Sequence, residues 1–194
     1  MWRTWRASAQ NDPDLAQTTA ELAQLTQRRV ILATIGAYML WHFVATITWS
    51  QTLGPTVWLT TIIVLTCGGV ALRHLSDRLP IAQIVWQFGL FAAITISLLT
   101  FREPAIIFLY ALLPLMAVIT SGLLAGLVAE GAVVAMLAWL SFGPAAGMLP
   151  SAYAIGAIAV GGLVGLLGWA SSHALFTVTH WSIYSLNQAR ENME

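Results

Sequence analysis

The sequence predicts an all-α, polytopic membrane protein, a helix bundle, and three observations lead to that fold class. Of its 194 residues, 58% are hydrophobic and 8% are charged, whereas a soluble domain carries about 25% charged residues. The mean hydropathy is +0.78. The apolar residues form continuous runs long enough to cross about 30 Å of hydrocarbon, without the alternation of a membrane β-barrel. The net charge of zero predicts no nucleic-acid partner.

Residues 1–28 predict a cytoplasmic N-terminal segment that contains an amphipathic helix. Asp12 can cap this helix and Pro13 suits its first position, while leucines recur at near-helical spacing among Gln and Thr residues. We expect the helix to lie on the inner membrane surface or to run into the first span. A frayed polar arm is the alternative.

Residues 29–177 predict six transmembrane helices that form one domain. Pro, Gly and charged residues separate most of the runs, but the segment from Tyr110 to Leu140 is apolar almost without pause. We divide it at Thr120, Ser121 and Gly122, its turn-like cluster; without that division the chain would have five spans. The predicted spans are Arg29–Ser50, Thr56–Leu72, Pro80–Thr100, Pro104–Ser121, Gly122–Phe142 and Ser151–Thr177.

Residues 178–194 predict a cytoplasmic helix that continues the last span. The closing stretch HWSIYSLNQARENME is polar, and no Pro or Gly interrupts the chain from Trp169 onward. Four apolar residues recur at the spacing of a coiled-coil seam, which predicts a homodimer through this helix. They are Phe176, Ile183, Leu186 and Met193.

Arginine placement predicts the orientation of the chain. With six spans, seven of the eight basic residues lie on the side that holds both termini, and Arg102 alone lies on the other. Because loops rich in Lys and Arg stay in the cytoplasm, we expect both termini to be cytoplasmic.

Four residues are candidates for ligand binding or sensing. Glu130 lies near mid-depth of the fifth span, where an ionisable side chain is costly and is a functional hypothesis by default. A protonated, purely structural Glu130 is the alternative. His42 lies in the aromatic-rich first span. Arg102 and Glu103 form a charged pair in an outer loop, either to bind a polar ligand or as a solvated pair.

Glycine pairs predict close helix packing. Gly122 and Gly126 in the fifth span, and Gly161 and Gly165 in the sixth, have the small-xxx-small spacing that lets helix backbones approach in lipid.

The sequence predicts no cofactor and no metal site. Ligation of haem or chlorophyll by His42 is the alternative, since neutral imidazole binds such metals, but His173 is expected at the opposite end of its span and is not an obvious second ligand. Cys67 is the one cysteine, so no disulfide can form within the chain. No catalytic motif of a metalloprotease, serine hydrolase or P-loop enzyme is present.

The six spans, the short outer loops and the closing WSIYSLNQARENME resemble the N-terminal membrane region of bacterial sensor histidine kinases. This resemblance implies a signal-transducing module in a bacterial inner membrane, whose last helix passes a rearrangement to a downstream cytoplasmic effector. The kinase core of such two-component systems is absent from these residues, so kinase activity would require a downstream catalytic domain. The alternatives are an accessory subunit of a respiratory or photosynthetic complex, and a small transporter.

Overall fold

The computed structural model describes the backbone of residues 13–48, 54–143 and 149–191, with side chains for 21–48, 54–143 and 149–174. These residues are almost entirely helical, and none of them forms a strand. Six helical segments are long and apolar enough to cross a membrane. The prediction of an all-α protein with six spans is therefore confirmed.

The first three spans form one compact unit, which ends at Phe101. Helix α1 covers Pro13–Thr48, α2 covers Pro55–His74 and α3 covers Leu79–Phe101. Helix α1 is unbroken over 36 residues, so the predicted N-terminal helix runs directly into the first span. Asp12, its predicted cap, lies outside the described residues.

Close contacts hold α1, α2 and α3 together within this unit. A Cβ atom at Gly68 of α2 would stand 3.2 Å from Cζ3 of Trp86 on α3, and it would clash with Ile35 of α1. Gly89 of α3 packs directly against Cys67 of α2. Glycine at these points lets large neighbours fill the space that a side chain would take.

The last three spans form a second compact unit, which begins at Arg102. The chain thus divides into two compact units of three spans each. In the second unit the fourth span consists of a 3₁₀ helix, Pro104–Ala111, followed by α4, Leu112–Ser121. Helix α5 covers Leu123–Phe142 and α6 covers Ser151–Glu191.

Gly122 alone joins α4 to α5. Its φ of 92° and ψ of 179° lie in a region that is open essentially only to glycine. The turn predicted at residues 120 to 122 is present, which excludes the five-span alternative. Gly122, which was expected to pack within the fifth span, lies at the start of that span, where it ends α4 and caps α5; its packing role stays a prediction.

Helix α6 presents a narrow face of small residues to the rest of its unit. Gly165 lies 3.6 Å from Cβ of Pro114, measured from the position that its own Cβ would take, and Gly168 lies 2.8 Å from Cδ1 of Leu115. The opposite face carries exposed leucines such as Leu163 and Leu167, as expected for contact with lipid. The buried small residues of α6 are Ala154, Ala157, Gly161, Gly165 and Gly168.

Candidate functional site

Glu130 lies inside the second unit at the contact between α5 and α6. It stands seven residues after Leu123, or about 10 Å along the helix from the start of α5. Four residues earlier, on the same side of α5, Gly126 is buried; a Cβ atom there would clash with Val118 and lie 3.4 Å from the carbonyl oxygen of Pro114. The face of α5 that carries Glu130 is thus turned towards its neighbours in this unit.

The carboxyl group of Glu130 packs against the backbone of Gly161. A Cβ atom at Gly161 would lie 2.5 Å from Oε2 and 3.0 Å from Oε1 of Glu130. The missing side chain of this glycine is therefore the space that the carboxyl occupies. The sequence predicted Gly161 as a residue that lets two helices pack closely. In the structure, the group that packs on Gly161 is the carboxyl of Glu130, the ionisable residue of the fifth span.

Both carboxyl oxygens of Glu130 are buried, and neither has a hydrogen-bond partner among the described residues. From Pro104 to Ala174 the sequence contains no other Asp, Glu, Lys or Arg, so this stretch supplies no counter-charge. A carboxylate without a partner is very unfavourable in apolar surroundings. The contact with Gly161 therefore suits the uncharged acid, or an acid that meets a partner from outside the chain.

His42 lies in the first unit, in a small polar cluster between α1 and α2. Its side chain is 7% exposed, and its Nδ1 is 3.3 Å from Oγ1 of Thr61. The hydroxyl of Tyr38 is 2.9 Å from the same oxygen. His42 is six residues before Thr48, and Thr61 is six residues after Pro55, so both lie about 9 Å from the helix ends that face each other.

The hydroxyl of Thr61 determines which nitrogen of His42 carries a proton. Thr61 Oγ1 is 3.0 Å from the carbonyl oxygen of Val57, which can only accept, so the single hydroxyl proton goes there. Oγ1 then accepts from Tyr38 and from Nδ1–H of His42. The Nε2 atom of a neutral His42 is consequently left with its lone pair.

Aromatic rings enclose the imidazole of His42. The ring of Trp58 meets it edge-on at a centroid distance of 5.1 Å, and Tyr38 stacks beside it at 6.2 Å. Nε2 is the atom that would ligate a haem or chlorophyll metal. No cluster of three or more potential metal ligands occurs in the described part of the chain, so the role of His42 as a ligand stays a prediction.

Arg102 and Glu103 lie exposed in the loop between α3 and the 3₁₀ helix. Oε1 of Glu103 accepts a hydrogen bond from the backbone nitrogen of Ala105 at 3.4 Å and so caps the 3₁₀ helix. Arg102 has a φ of 51°, an uncommon backbone conformation for a residue with a side chain. The structure supports a role for Glu103 in ending the loop; ligand binding by this pair stays a prediction.

Two residues of the His42 cluster were missed at the level of sequence, Tyr38 and Thr61. The spacing of Tyr38 and His42, four residues apart, places them on one helix face and is the signal that could have been used. Thr61 offers no comparable signal, because threonine is common in apolar helices and usually bonds its own backbone.

The predicted seam in the last helix falls on backbone that the structure describes only in part. Helix α6 includes Phe176, Ile183 and Leu186, whose side chains are outside the description, and Met193 lies outside the described residues altogether.

Comparisons with protein-family models, curated proteins and solved structures gave no match to this chain.

Proposed function

We propose that this chain is a membrane-embedded sensory module that passes a rearrangement of its spans to a cytoplasmic effector through its last helix. The module is of the type that precedes the kinase core in bacterial sensor histidine kinases. The observation that carries the proposal is the length of α6, which runs from Ser151 to Glu191 as one helix of 41 residues.

Helix α6 is much longer than a membrane crossing requires. Its apolar part, Ser151–Ala174, is the candidate span, and the remaining 17 residues, 175 to 191, add about 26 Å of helix. An unbroken helix is stiff along its axis, so a shift or rotation within the bilayer also moves its far end. A transporter or an accessory subunit has no evident need for such an extension.

The packing of α6 supports this role because the helix contacts both of its neighbours in the second unit. Gly165 and Gly168 lie against Pro114 and Leu115 of the fourth span, while Gly161 receives the carboxyl of Glu130 from the fifth. Because helices that touch through small residues have little free space between them, a movement of either neighbouring span displaces α6. Glu130 is the candidate for the group at which such a change begins.

The proposal includes an orientation and an oligomeric state. Both termini are cytoplasmic, in keeping with the arginine count, and the membrane is the inner membrane of a bacterium. Two copies associate through the tail of α6, along the seam that includes Ile183 and Leu186. Dimerisation gives the effector a paired helix whose rotation it can detect.

The test joins the full chain to the dimerisation and catalytic core of a histidine kinase, with zero to seven helix-forming residues inserted at the junction. We expect autophosphorylation in membranes to rise and fall with insert length and to recover at seven residues, since seven residues restore the coiled-coil phase. Ser182→Pro in the fusion without an insert should abolish this output by breaking the helix, with Ser182→Ala, also outside the seam, as the matched control. Autophosphorylation that is independent of insert length would contradict the proposal.

Cysteine cross-linking checks the dimer independently of any output. In a Cys67→Ser background, single cysteines at Ile183 and Leu186 should form disulfide-linked dimers in membranes more readily than a cysteine at Ser182. Equal cross-linking at all three positions would contradict a dimer contact along this seam.

A further inference from the structure

We infer that Glu130 binds the ammonium group of an amphiphilic amine that reaches α5 and α6 from within the bilayer. The inference deepens the proposed function, because it names the class of ligand that would act on α6. The binding site itself does not depend on any signalling output.

The carboxyl group offers acceptors that the described part of the chain leaves unused. Both oxygens of Glu130 are buried and without a hydrogen bond, although buried polar groups in proteins are nearly always paired. A carboxylate accepts several hydrogen bonds and an ammonium donates up to three. An N–H donor carrying one positive charge would satisfy both the hydrogen-bonding capacity and the charge of this residue.

The surroundings of Glu130 select the rest of the ligand. No second acid and no Lys or Arg occurs from Pro104 to Ala174, so the site matches one positive charge. An inorganic cation such as Ca²⁺ requires about six to eight oxygen ligands, whereas the single carboxyl supplies two. The neighbouring positions are Gly, Ala, Val and Leu, which favours an apolar body behind the charged group.

The helix surface beside the contact is open. A Cβ atom at Gly131 of α5 or at Gly162 of α6 would have no heavy atom within 4 Å. The Glu130 side chain is itself only half-buried although its oxygens are covered. A ligand dissolved in the bilayer can therefore approach the stem of Glu130 without passing through the protein.

An ammonium group bound to the carboxyl would change the contact with α6. The carboxyl now fills the place of the missing Gly161 side chain, and that space has no room for a further heavy atom. Binding must draw the carboxyl away from Gly161 or separate α5 from α6. Either movement changes how α6, the helix that extends to Glu191, packs against α5.

A hydrophobic carbodiimide tests occupancy of the site directly. The carboxyl oxygen adds to its central carbon while the carboxyl proton passes to a carbodiimide nitrogen. The resulting O-acylisourea rearranges to a stable N-acylurea, so the protein gains the mass of one carbodiimide. We expect labelling of the purified full chain in phosphatidylcholine vesicles to map to Glu130 and to disappear in Glu130→Gln. Dodecylamine at ten times its half-protecting concentration should slow this labelling about tenfold. Mass spectrometry should show no amide between dodecylamine and Glu130, the product that would form if the amine attacked the O-acylisourea instead of protecting the carboxyl.

Two further probes separate binding from membrane effects. Dodecanol has the same chain without the charge and should not protect Glu130; equal protection by dodecanol, or no protection by dodecylamine, would overturn the inference. Vesicles containing phosphatidylethanolamine test whether a lipid headgroup is the source of the amine. Protection there assigns the ligand to the headgroup, and its absence assigns it to a free amine.

The result is distinguishable from failure of the proposed function. Protection by dodecylamine together with autophosphorylation that ignores insert length would leave an amine site in a protein that is not a sensor. Insert-dependent output without protection would leave a sensor whose input is something other than an amine.

Discussion

At the scale of single residues, Thr60 and Thr61 show how neighbours with equal burial differ in their roles. Both side chains are buried, at 4% and 5% exposure. Thr60 donates only to the carbonyl of Thr56 in its own helix, at 3.1 Å. Thr61 donates to Val57 and also accepts from Tyr38 and His42. Of these two threonines, Thr61 is therefore the one that joins α1 to α2 by hydrogen bonds.

We predict that Thr61→Val destabilises the protein by about 1–3 kcal/mol, since it leaves two donors without an acceptor in an apolar environment. Thr60→Val is the matched control and should change the free energy of unfolding by less than about 1 kcal/mol, because it removes a bond within one helix. Titration with SDS in mixed micelles measures both values. Equal losses would mean that the hydroxyl of Thr61 does not bridge the helices.

The sequence identified Glu130 and His42 as the polar residues of the two sites, but it did not identify the residues that contact them. Glu130 and His42 stand out because ionisable groups are rare in apolar spans, and both are held inside their units. Their partners are a glycine backbone and a threonine hydroxyl, which carry no distinctive pattern. The contact of Glu130 with Gly161 depends on how α5 and α6 turn towards each other, and helical spacing within one span does not define that rotation.

At the scale of elements, Gly161 and Gly162 provide a matched pair on α6. Replacing either with Ala gives the same gain in helix propensity, about 1 kcal/mol. At Gly162 the new methyl group meets nothing within 4 Å, whereas at Gly161 it meets Oε2 of Glu130 at 2.5 Å. The nearest atoms that the two new methyl groups would meet thus differ in one respect, the carboxyl of Glu130.

We predict that Gly162→Ala leaves the protein as stable as the wild type or slightly more stable. Gly161→Ala should be less stable than Gly162→Ala by about 1 kcal/mol, the low end of the cost of overpacking, because the methyl group meets the end of a flexible side chain. The same SDS titration decides the matter. Gly161→Ala should also displace the carboxyl and so change its rate of carbodiimide labelling; indistinguishable variants would place Glu130 away from α6.

Helix boundaries were largely predictable, because Pro, Gly and charged residues interrupt the apolar runs. The fourth span is the exception in its internal form. Its first eight residues, Pro104–Ala111, make a 3₁₀ helix, although such helices are usually three or four residues long. The apolar pattern of residues 104–121 distinguishes a span from a loop, but it does not separate two helix types that bury similar side chains.

At the scale of the whole molecule, the number of spans was predictable and the division into two compact units was not. Hydropathy counts crossings because each one needs about 20 apolar residues. Every span here is apolar around much of its circumference, with exposed residues such as Phe88 and Leu124. The surfaces of the spans that face lipid and those that face other helices therefore carry the same residue types. For this reason the sequence does not indicate which three helices pack together.

The six spans turn the arginine count into a testable topology. An even number of crossings returns the C-terminus to the side of the N-terminus, and seven of the eight arginines are on that side. Because basic loops are retained in the cytoplasm, alkaline phosphatase fused after Gly54 should be active outside the cell. Fusions after Ser76, between α2 and α3, and after Glu194 should be inactive, and green fluorescent protein at those two sites should fluoresce.

Active phosphatase after both Gly54 and Glu194 would require an odd number of crossings and would overturn the six-span topology. Active phosphatase after Ser76 and Glu194, with none after Gly54, would keep the six spans and invert the protein, which would carry the tail of α6 out of the cytoplasm and away from any cytoplasmic effector.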